Sequence, residues 1–268
     1  MNGAADISLF SLVLCLLLFI IPVFFSLKFG LKMNRGMLAA AARMILQLAF
    51  VGVFLKYVFE LNNTIINISW FMLMIITASF SVVFNSGLKT GKFILPMFLA
   101  FAAANIPVLY YLNAVVIKPD NIFDARYIIA LGGMILGNSL RGNIIALKSF
   151  YSDIKKDEKL HRYRLAAGAS INEAIRPYIK GSLSLALQPI VATMATIGIV
   201  SLPGMMTGQI LGGSPPVVAI KYQIVIMTAI FVSMSMSVTF SIFFTLKAGF
   251  MKNGTLNNSI FTGKNGQK

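Results

Sequence analysis

The sequence predicts an all-α polytopic membrane protein with about seven transmembrane helices. Hydrophobic residues make up 57% of the 268 residues, and the mean hydropathy is +0.82. Charged residues make up only 12%, against roughly 25% in a soluble domain. The apolar residues form long continuous runs rather than the alternating pattern of an outer-membrane barrel. These observations exclude a soluble enzyme and favour a helical membrane protein.

Seven apolar runs predict the spans, because each is close to the roughly 20 residues that a bilayer requires. They lie at about 6–27, 37–59, 68–87, 93–117, 125–148, 183–203 and 217–246. Lys and Arg collect after the first, third, fifth and seventh spans, and the other connections contain few of them. The positive-inside rule therefore predicts an outside N-terminus and an inside C-terminus. The net charge of +15 is explained by these loops, and no nucleic-acid partner is expected.

The two ends of the chain differ in character. No basic residue precedes Lys28 and no small-x-small cleavage pattern follows the first apolar run, so we expect a retained span rather than a signal peptide. The only cysteine, Cys15, lies in that run and cannot form an intramolecular disulfide. We predict a single transmembrane domain over residues 1–250, followed by a disordered polar tail at 251–268.

Residues 149–182, which we call the platform, form an ionic segment in an otherwise apolar chain. Four of the eight acidic residues lie in it, namely Asp153, Asp157, Glu158 and Glu173. Such a segment cannot sit in hydrocarbon, so it is predicted to be cytoplasmic, either as a simple topogenic loop or as a surface for a partner. We expect one short helix at 164–167, a break at Gly168 and a second helix at 172–176 that Pro177 limits. His161 is predicted to be a solvated surface residue.

Two spans carry polar residues at depth. Arg43 and Gln47 are four residues apart, so they share a face of the second span. Arg43 either snorkels to the headgroups or belongs to a polar stripe that faces a translocation path or a second subunit. In the fifth span, the spacing of Gly133 and Gly137 permits close helix approach, and Asn138 is predicted to form an interhelical hydrogen bond.

The segment 198–223 is predicted to be a broken helix. Pro203 and Gly204 interrupt it first, and Gly212, Gly213, Pro215 and Pro216 interrupt it again. Irregular backbone at membrane depth is tolerated where it is buried in protein or lines an aqueous cavity, so this segment is the best candidate for a gate. The predicted path or gate comprises Arg43, Gln47, Asn138, Pro203, Gly204, Met205, Met206, Gly208 and Gln209.

Catalytic chemistry is not indicated. Met205 and Met206 could serve as soft ligands for a transition metal, but methionines more often fill cores, and the identity of any metal site is left open. The sequence has no metal-site spacing of Cys, His and carboxylates and no GxxxxGK[ST] phosphate loop. We therefore expect no enzymatic activity and no ATP hydrolysis by this chain itself.

The platform centre, LAAGASINEAIRPYIKGSLSLALQP, resembles the cytoplasmic coupling loop of ABC transporter permeases. The residues that match this loop are Gly168, Ala169, Ser170, Glu173 and Ala174. Over roughly 35–250 the chain closely resembles the FetB family of ABC permeases, which are proposed iron exporters with plant relatives linked to aluminium tolerance. The match rests on 43–59, 132–140, 165–174 and above all VSLPGMMTGQILGGSPPVVAIKYQI at 200–224.

This resemblance implies a multi-pass permease of the plasma or inner membrane. It implies a homodimer paired with two copies of a separate FetA-like ATPase, which would bind ATP and Mg while the permease binds no cofactor. Metal export, with iron as the proposed cargo, is likewise implied by the resemblance. Two other classes stay open from the residues alone: a stand-alone secondary transporter or channel, and a membrane scaffold that recruits a cytoplasmic protein.

Overall fold

Long apolar helices dominate the computed structural model, which describes residues 6–31, 33–251 and 253–262. Within those ranges the α-helices are α1 Leu9–Leu17, α2 Ile20–Lys28, α3 Asn34–Leu61, α4 Thr64–Asn85, α5 Thr90–Tyr111, α6 Ala125–Lys156, α7 Glu158–Ala166, α8 Ile171–Thr196, α9 Gly204–Leu211 and α10 Pro216–Gly249. A π-helical turn, Leu112–Ile117, extends α5, and a 3-10 turn, Asn258–Ile260, lies in the tail. The predicted all-α class is confirmed.

The packed core is a bundle of α4, α5, α6 and α10, with α8 against α6 and α10. The first three helices contribute little to it: α1 has no buried residue, and α3 buries only Val58. Their apolar side chains are therefore left exposed by the single chain. In a soluble protein such a surface would be unstable, whereas in a membrane protein lipid or another subunit covers it.

One end of the bundle is closed by hydrogen bonds between two connections. Asn62 Nδ2 donates to Asp124 Oδ2 at 2.9 Å, and Asn67 Nδ2 donates to the Phe123 carbonyl at 2.9 Å. These bonds join the α3–α4 connection to the segment before α6. We call this the loop end. It contains two of the connections that were predicted to be poor in positive charge.

The opposite end, which we call the platform end, gathers the positively charged connections. The backbone N–H of Lys89, between α4 and α5, donates to the Ile260 carbonyl of the tail at 2.7 Å. Lys155, at the end of α6, places its Nζ 4.4 Å from the centroid of the Phe261 ring. The basic connections therefore meet at the platform end and the connections poor in Lys and Arg at the loop end, as the predicted alternation requires.

Six helical segments of the described chain are long and apolar enough to cross a membrane. The helix that contains most of the predicted span 183–203, α8, is not among them. Nevertheless α8 begins at the platform end, and α10 runs back from the loop end to it. Since α8 has 26 residues, its length of about 39 Å is enough to cross a bilayer. Its length is therefore compatible with the predicted seventh span.

Two predictions about the platform and its surroundings are wrong. Pro177 does not limit the second platform helix, because α8 continues through both Pro177 and Pro189 to Thr196. Each proline removes one backbone hydrogen bond from a helix that packs against α6 and α10, and that packing maintains the helix. The predicted span 183–203 therefore ends at Thr196, and it forms one continuous helix with the end of the platform.

The tail is the second correction. Disorder was predicted from residue 251, but residues 253–262 pack on the platform end, with Leu256 and Ile260 buried. These two apolar residues indicated a packed segment, but the many asparagines around them favoured a prediction of disorder. Residues 263–268 lie outside the described part of the chain.

Single-cysteine labelling should place the two ends on opposite sides of the membrane. In a Cys15→Ser background, Asn63→Cys should react with an impermeant maleimide only from outside, and Ser152→Cys only from inside. The reason is that Asn63 belongs to the loop end while Ser152 lies near the C-terminal end of α6. Labelling of both positions from the same side would contradict the seven-crossing topology.

Candidate functional site

The turn between α7 and α8 is the centre of the predicted coupling motif. Gly168 has a φ of +94°, a conformation that residues with a Cβ rarely adopt. Ser170 caps α8: its hydroxyl accepts from the Glu173 N–H at 3.3 Å, and Glu173 Oε2 accepts from the Ser170 N–H at 2.8 Å. This is a complete capping box. Gly168, Ala169 and Ser170 therefore form a sharply defined, solvent-facing turn.

Glu173 has a structural function in that turn. Hydrogen bonds from the Ser170 hydroxyl and then from its backbone N–H hold the pKa of the Glu173 carboxyl below its usual value. The carboxylate is therefore already occupied by its own helix terminus. Ala174, the last residue of the motif, is fully buried and fixes α8 on the body of the platform.

His161 was predicted to be solvated, and this is wrong. Its side chain has no exposed surface, and its ring lies between those of Tyr178 and Phe250. The imidazole Nε2 is 2.9 Å from the Gly254 carbonyl of the tail, to which it donates a hydrogen bond. The tail covers His161, so the burial of this side chain could not be predicted from the sequence of α7 alone.

The tail joins three elements of the platform end that are far apart in sequence. It contacts α7 through His161 and the α4–α5 connection through the Thr262 N–H, which donates to the Gly87 carbonyl at 3.0 Å. Gly254 also lies against the start of α8, since an added Cβ there would be 2.8 Å from Ile171 Cγ1. The platform is therefore attached to the membrane bundle through the tail.

A solvent-open groove on α8 adjoins the capped turn. Its lining residues are Glu173, Arg176, Pro177, Ile179, Lys180 and Leu183. Arg176 and Lys180 are exposed and four residues apart, so they point to the same side of the helix. The groove presents two positive charges and the hydrogen-bonded Glu173 carboxylate beside an apolar floor, so its net charge is positive and suits a partner surface with acidic residues.

Arg43 and Gln47 both lie on the exposed surface of α3. Gln47 lines a second groove between α3, α4 and α6, together with Thr77, Ser81 and Gly137. Arg43 is not among the residues that line this groove. Of the predicted polar stripe, therefore, only Gln47 lines a groove of the single chain.

Of the contacts predicted in α6, the close approach is confirmed at Gly133, where a Cβ would be 3.2 Å from Met74 Cε, but not at Gly137. Asn138 Nδ2 donates to the Met134 carbonyl of its own helix at 2.9 Å, so it forms no interhelical bond. A Cβ on Gly137 would meet no atom within 4 Å. A closer approach than that at Gly133 occurs at Gly132, where a Cβ would be 2.6 Å from Phe71 Cε2.

A buried polar seam, missed in the sequence, connects α5, α6 and α10. Ser233 Oγ donates to Asn105 Oδ1 at 2.9 Å, and Asn143 Nδ2 donates to Ser237 Oγ at 2.7 Å. All four side chains are fully buried. Interhelical hydrogen bonds of this kind stabilise membrane bundles. The four-residue spacing of Ser233 and Ser237 was the available signal.

The broken segment is confirmed, with two interruptions around a short helix. Gly198, with a φ of +87°, turns the chain after α8, and Pro203 caps α9. Gly213, with a φ of +95°, separates α9 from α10, which begins at Pro216. Because α9 has eight residues, it is about 12 Å long and cannot cross a bilayer. It lies at the loop end of the bundle.

The remaining predicted gate residues fall on different faces of α9. Met206 is buried and lines a cavity, whereas Met205 packs on the main core. A Cβ on Gly204 or Gly208 would meet nothing within 4 Å, so no helix of the same chain lies against that glycine face. Gln209 Oε1 is buried and has no hydrogen-bond partner among the described residues.

The cavity between α8, α9 and α10, which we call the Met cavity, has a volume of about 520 Å³. Its lining comprises Met194, Ile197, Gly198, Leu202, Pro203, Met206, Ile220, Gln223, Ile224, Met227 and Thr228. No group of three or more His, Cys, Asp or Glu residues that could hold a metal ion occurs in the described ranges.

A bundle of apolar helices with a charged platform at one end and a broken helix lining a cavity at the other is the architecture of a multi-pass membrane permease. The chain belongs to UPF0014, an uncharacterised protein family whose model matches residues 9–250. The match covers the bundle, the platform and the broken segment together.

Relatives from bacteria and plants are similar over most of their length. "Probable iron export permease protein FetB" of Escherichia coli is 30% identical, over 88% of this chain and 90% of the relative. "Protein ALUMINUM SENSITIVE 3" of Arabidopsis thaliana is 28% identical, over 92% of this chain and 89% of the relative. A UPF0014 membrane protein of Synechocystis is 34% identical, over 78% and 80%. No solved structure matches the chain.

Proposed function

We propose that this chain is the membrane-spanning subunit of an ABC transporter, and that a separate ATPase docks on the platform and drives transport. The capped turn at Gly168–Ser170 carries the proposal. It is exposed, held in one conformation by the Ser170–Glu173 capping box, and continuous with α8. A displacement of the turn is therefore passed along about 39 Å of helix to the broken segment at the other end.

We propose metal export as the activity, with iron as the first cargo to test. The support is the name of the Escherichia coli relative, an iron export permease. The ATP and Mg would be bound by the partner, and no cofactor is assigned to this chain. A plasma or inner membrane location follows from the same assignment.

A homodimer is part of the same proposal. The apolar faces of α1 and α3 and the open glycine face of α9 are uncovered in the single chain. A second copy would cover part of this surface, and lipid the rest. The rival classes differ in a testable way: a channel or secondary transporter would need no ATPase, and a scaffold would bind its partner without moving any cargo.

Co-purification tests the docking site. We expect Arg176→Glu combined with Lys180→Glu to weaken ATPase binding to the tagged chain by about thirtyfold or more, since loss of close charge pairs at an interface costs roughly 2–5 kcal/mol and 2 kcal/mol corresponds to about thirtyfold. The matched control is Arg126→Glu, which also reverses an exposed charge, but at the loop end. Equal ATPase recovery from the unmodified chain, the double variant and the Arg126→Glu control would contradict docking at this groove.

A further inference from the structure

The Met cavity offers uncharged, soft donor atoms at the loop end of the bundle. Three of its lining residues are methionines, each from a different helix: Met194 from α8, Met206 from α9 and Met227 from α10. No acidic, basic or histidine side chain lines it. Its side-chain donor atoms are therefore three thioether sulfurs, the amide of Gln223 and the hydroxyl of Thr228, which donates to the Ile224 carbonyl.

Gln223 is the independent sign that this cavity receives a ligand. Its side chain is 6% exposed, and its Oε1 has no hydrogen-bond partner among the described residues. A buried carbonyl oxygen without a partner costs about 1–3 kcal/mol, and such groups are rare in native proteins. Gln223 lies one turn before Met227 on α10, so the two side chains share a face. The amide oxygen and a sulfur thus line the same wall.

The sulfur donors of the Met cavity favour a soft metal ion as its ligand. Thioethers are soft ligands that favour Cu(I), whereas iron and other harder ions are better served by carboxylate and imidazole. A cage without charged groups also offsets the lost hydration of a monovalent ion more readily than that of a trivalent one. Methionine side chains have three rotatable bonds, which allows sulfurs from three helices to converge on one ion.

We propose that the Met cavity binds a soft monovalent cation, Cu(I) or Ag(I), through the sulfurs of Met194, Met206 and Met227, with Gln223 Oε1 as an oxygen ligand. The proposal rests on the proposed function for the step from binding to export, and it names a soft monovalent ion instead of iron as the ligand of the broken segment. Binding itself requires neither the ATPase nor ATP.

Silver titration of the purified chain tests the site. The full chain with Cys15→Ser, which removes the exposed thiol, is titrated calorimetrically with Ag(I) in chloride-free buffer. We expect one tight site per chain. Met206→Leu and Met227→Leu should each weaken it by about tenfold or more, and Gln223→Leu should weaken it less. The matched control is Met205→Leu, a change of the adjacent residue that faces the core and should leave Ag(I) affinity unchanged.

The outcomes separate this proposal from the proposed function. Equal Ag(I) affinity in the Met205→Leu, Met206→Leu and Met227→Leu proteins overturns the site, even if ATPase docking is intact. Equally strong binding of Fe(III) or Al(III) overturns the selectivity for soft ions. Conversely, selective loss of Ag(I) binding in the Met206 and Met227 variants supports the site, even if no ATPase co-purifies. Leucine preserves side-chain volume closely, and unchanged elution on size-exclusion chromatography confirms that each variant is folded.

Discussion

Replacement of Gly168 by proline is expected to abolish transport while the protein still inserts in the membrane. Gly168 has a φ of +94°, whereas proline fixes φ near −65°, so the turn cannot keep its shape. Even a non-glycine residue that can adopt such a positive φ destabilises the folded state by about 1–3 kcal/mol. The capping box that follows would lose its alignment with α7, and ATP hydrolysis by the partner would no longer be coupled to metal flux.

The matched control is Gly181→Ala. Gly181 lies within α8, and an added Cβ there meets nothing within 4 Å, so the substitution should preserve both hydrolysis and flux. The two activities are measured in the same proteoliposomes, and the ratio of metal transported to ATP hydrolysed is compared. An unchanged ratio in Gly168→Pro would show that the turn does not transmit the work of the ATPase.

Replacement of Gly132 by valine is expected to cause a large loss of stability. An added Cβ at Gly132 would lie 2.6 Å from Phe71 Cε2 and 3.2 Å from Leu109 Cδ2. Both neighbours are buried, so they cannot move aside without disturbing α4 and α5. Overpacking of this kind typically costs about 1–3 kcal/mol, and the Tm measured by thermal shift on size-exclusion chromatography should fall.

Gly137→Val serves as the control on the same helix. A Cβ at Gly137 meets nothing within 4 Å, so its Tm should stay close to that of the unmodified protein. A larger loss of Tm for Gly137→Val than for Gly132→Val would mean that the helix contact lies at the originally predicted spacing after all.

Features that depend on local sequence were predictable. Apolar runs and flanking charges identified the membrane crossings, because burial in hydrocarbon depends on the composition of each segment rather than on its neighbours. The breaks at Pro203 and Gly213 and the turn at Gly168 followed from backbone restrictions that a single residue imposes. The structure places the turn at Gly168 and the break at Gly213 where the sequence indicated, whereas the first break begins before Pro203, because α8 ends at Thr196 and the chain turns at Gly198.

Features that depend on facing elements were not predictable in the same way. Gly132 and Gly137 are chemically identical, and only the position of Phe71 on α4 decides which one is a contact. His161 is buried because a tail more than 90 residues away in sequence covers it. Asn143 rather than Asn138 joins two helices, which depends on the rotation of α6 against α10.

The most direct test of the proposed permease is metal flux in proteoliposomes that contain the chain and its ATPase, with the platform facing outward. We predict that external ATP drives accumulation of Fe(II) or Ag(I) in the lumen. Vesicles that lack the ATPase, or that contain an ATPase variant unable to hydrolyse ATP, should accumulate neither ion. Equal metal flux with and without the active ATPase would contradict the account and identify the chain as a channel or secondary transporter.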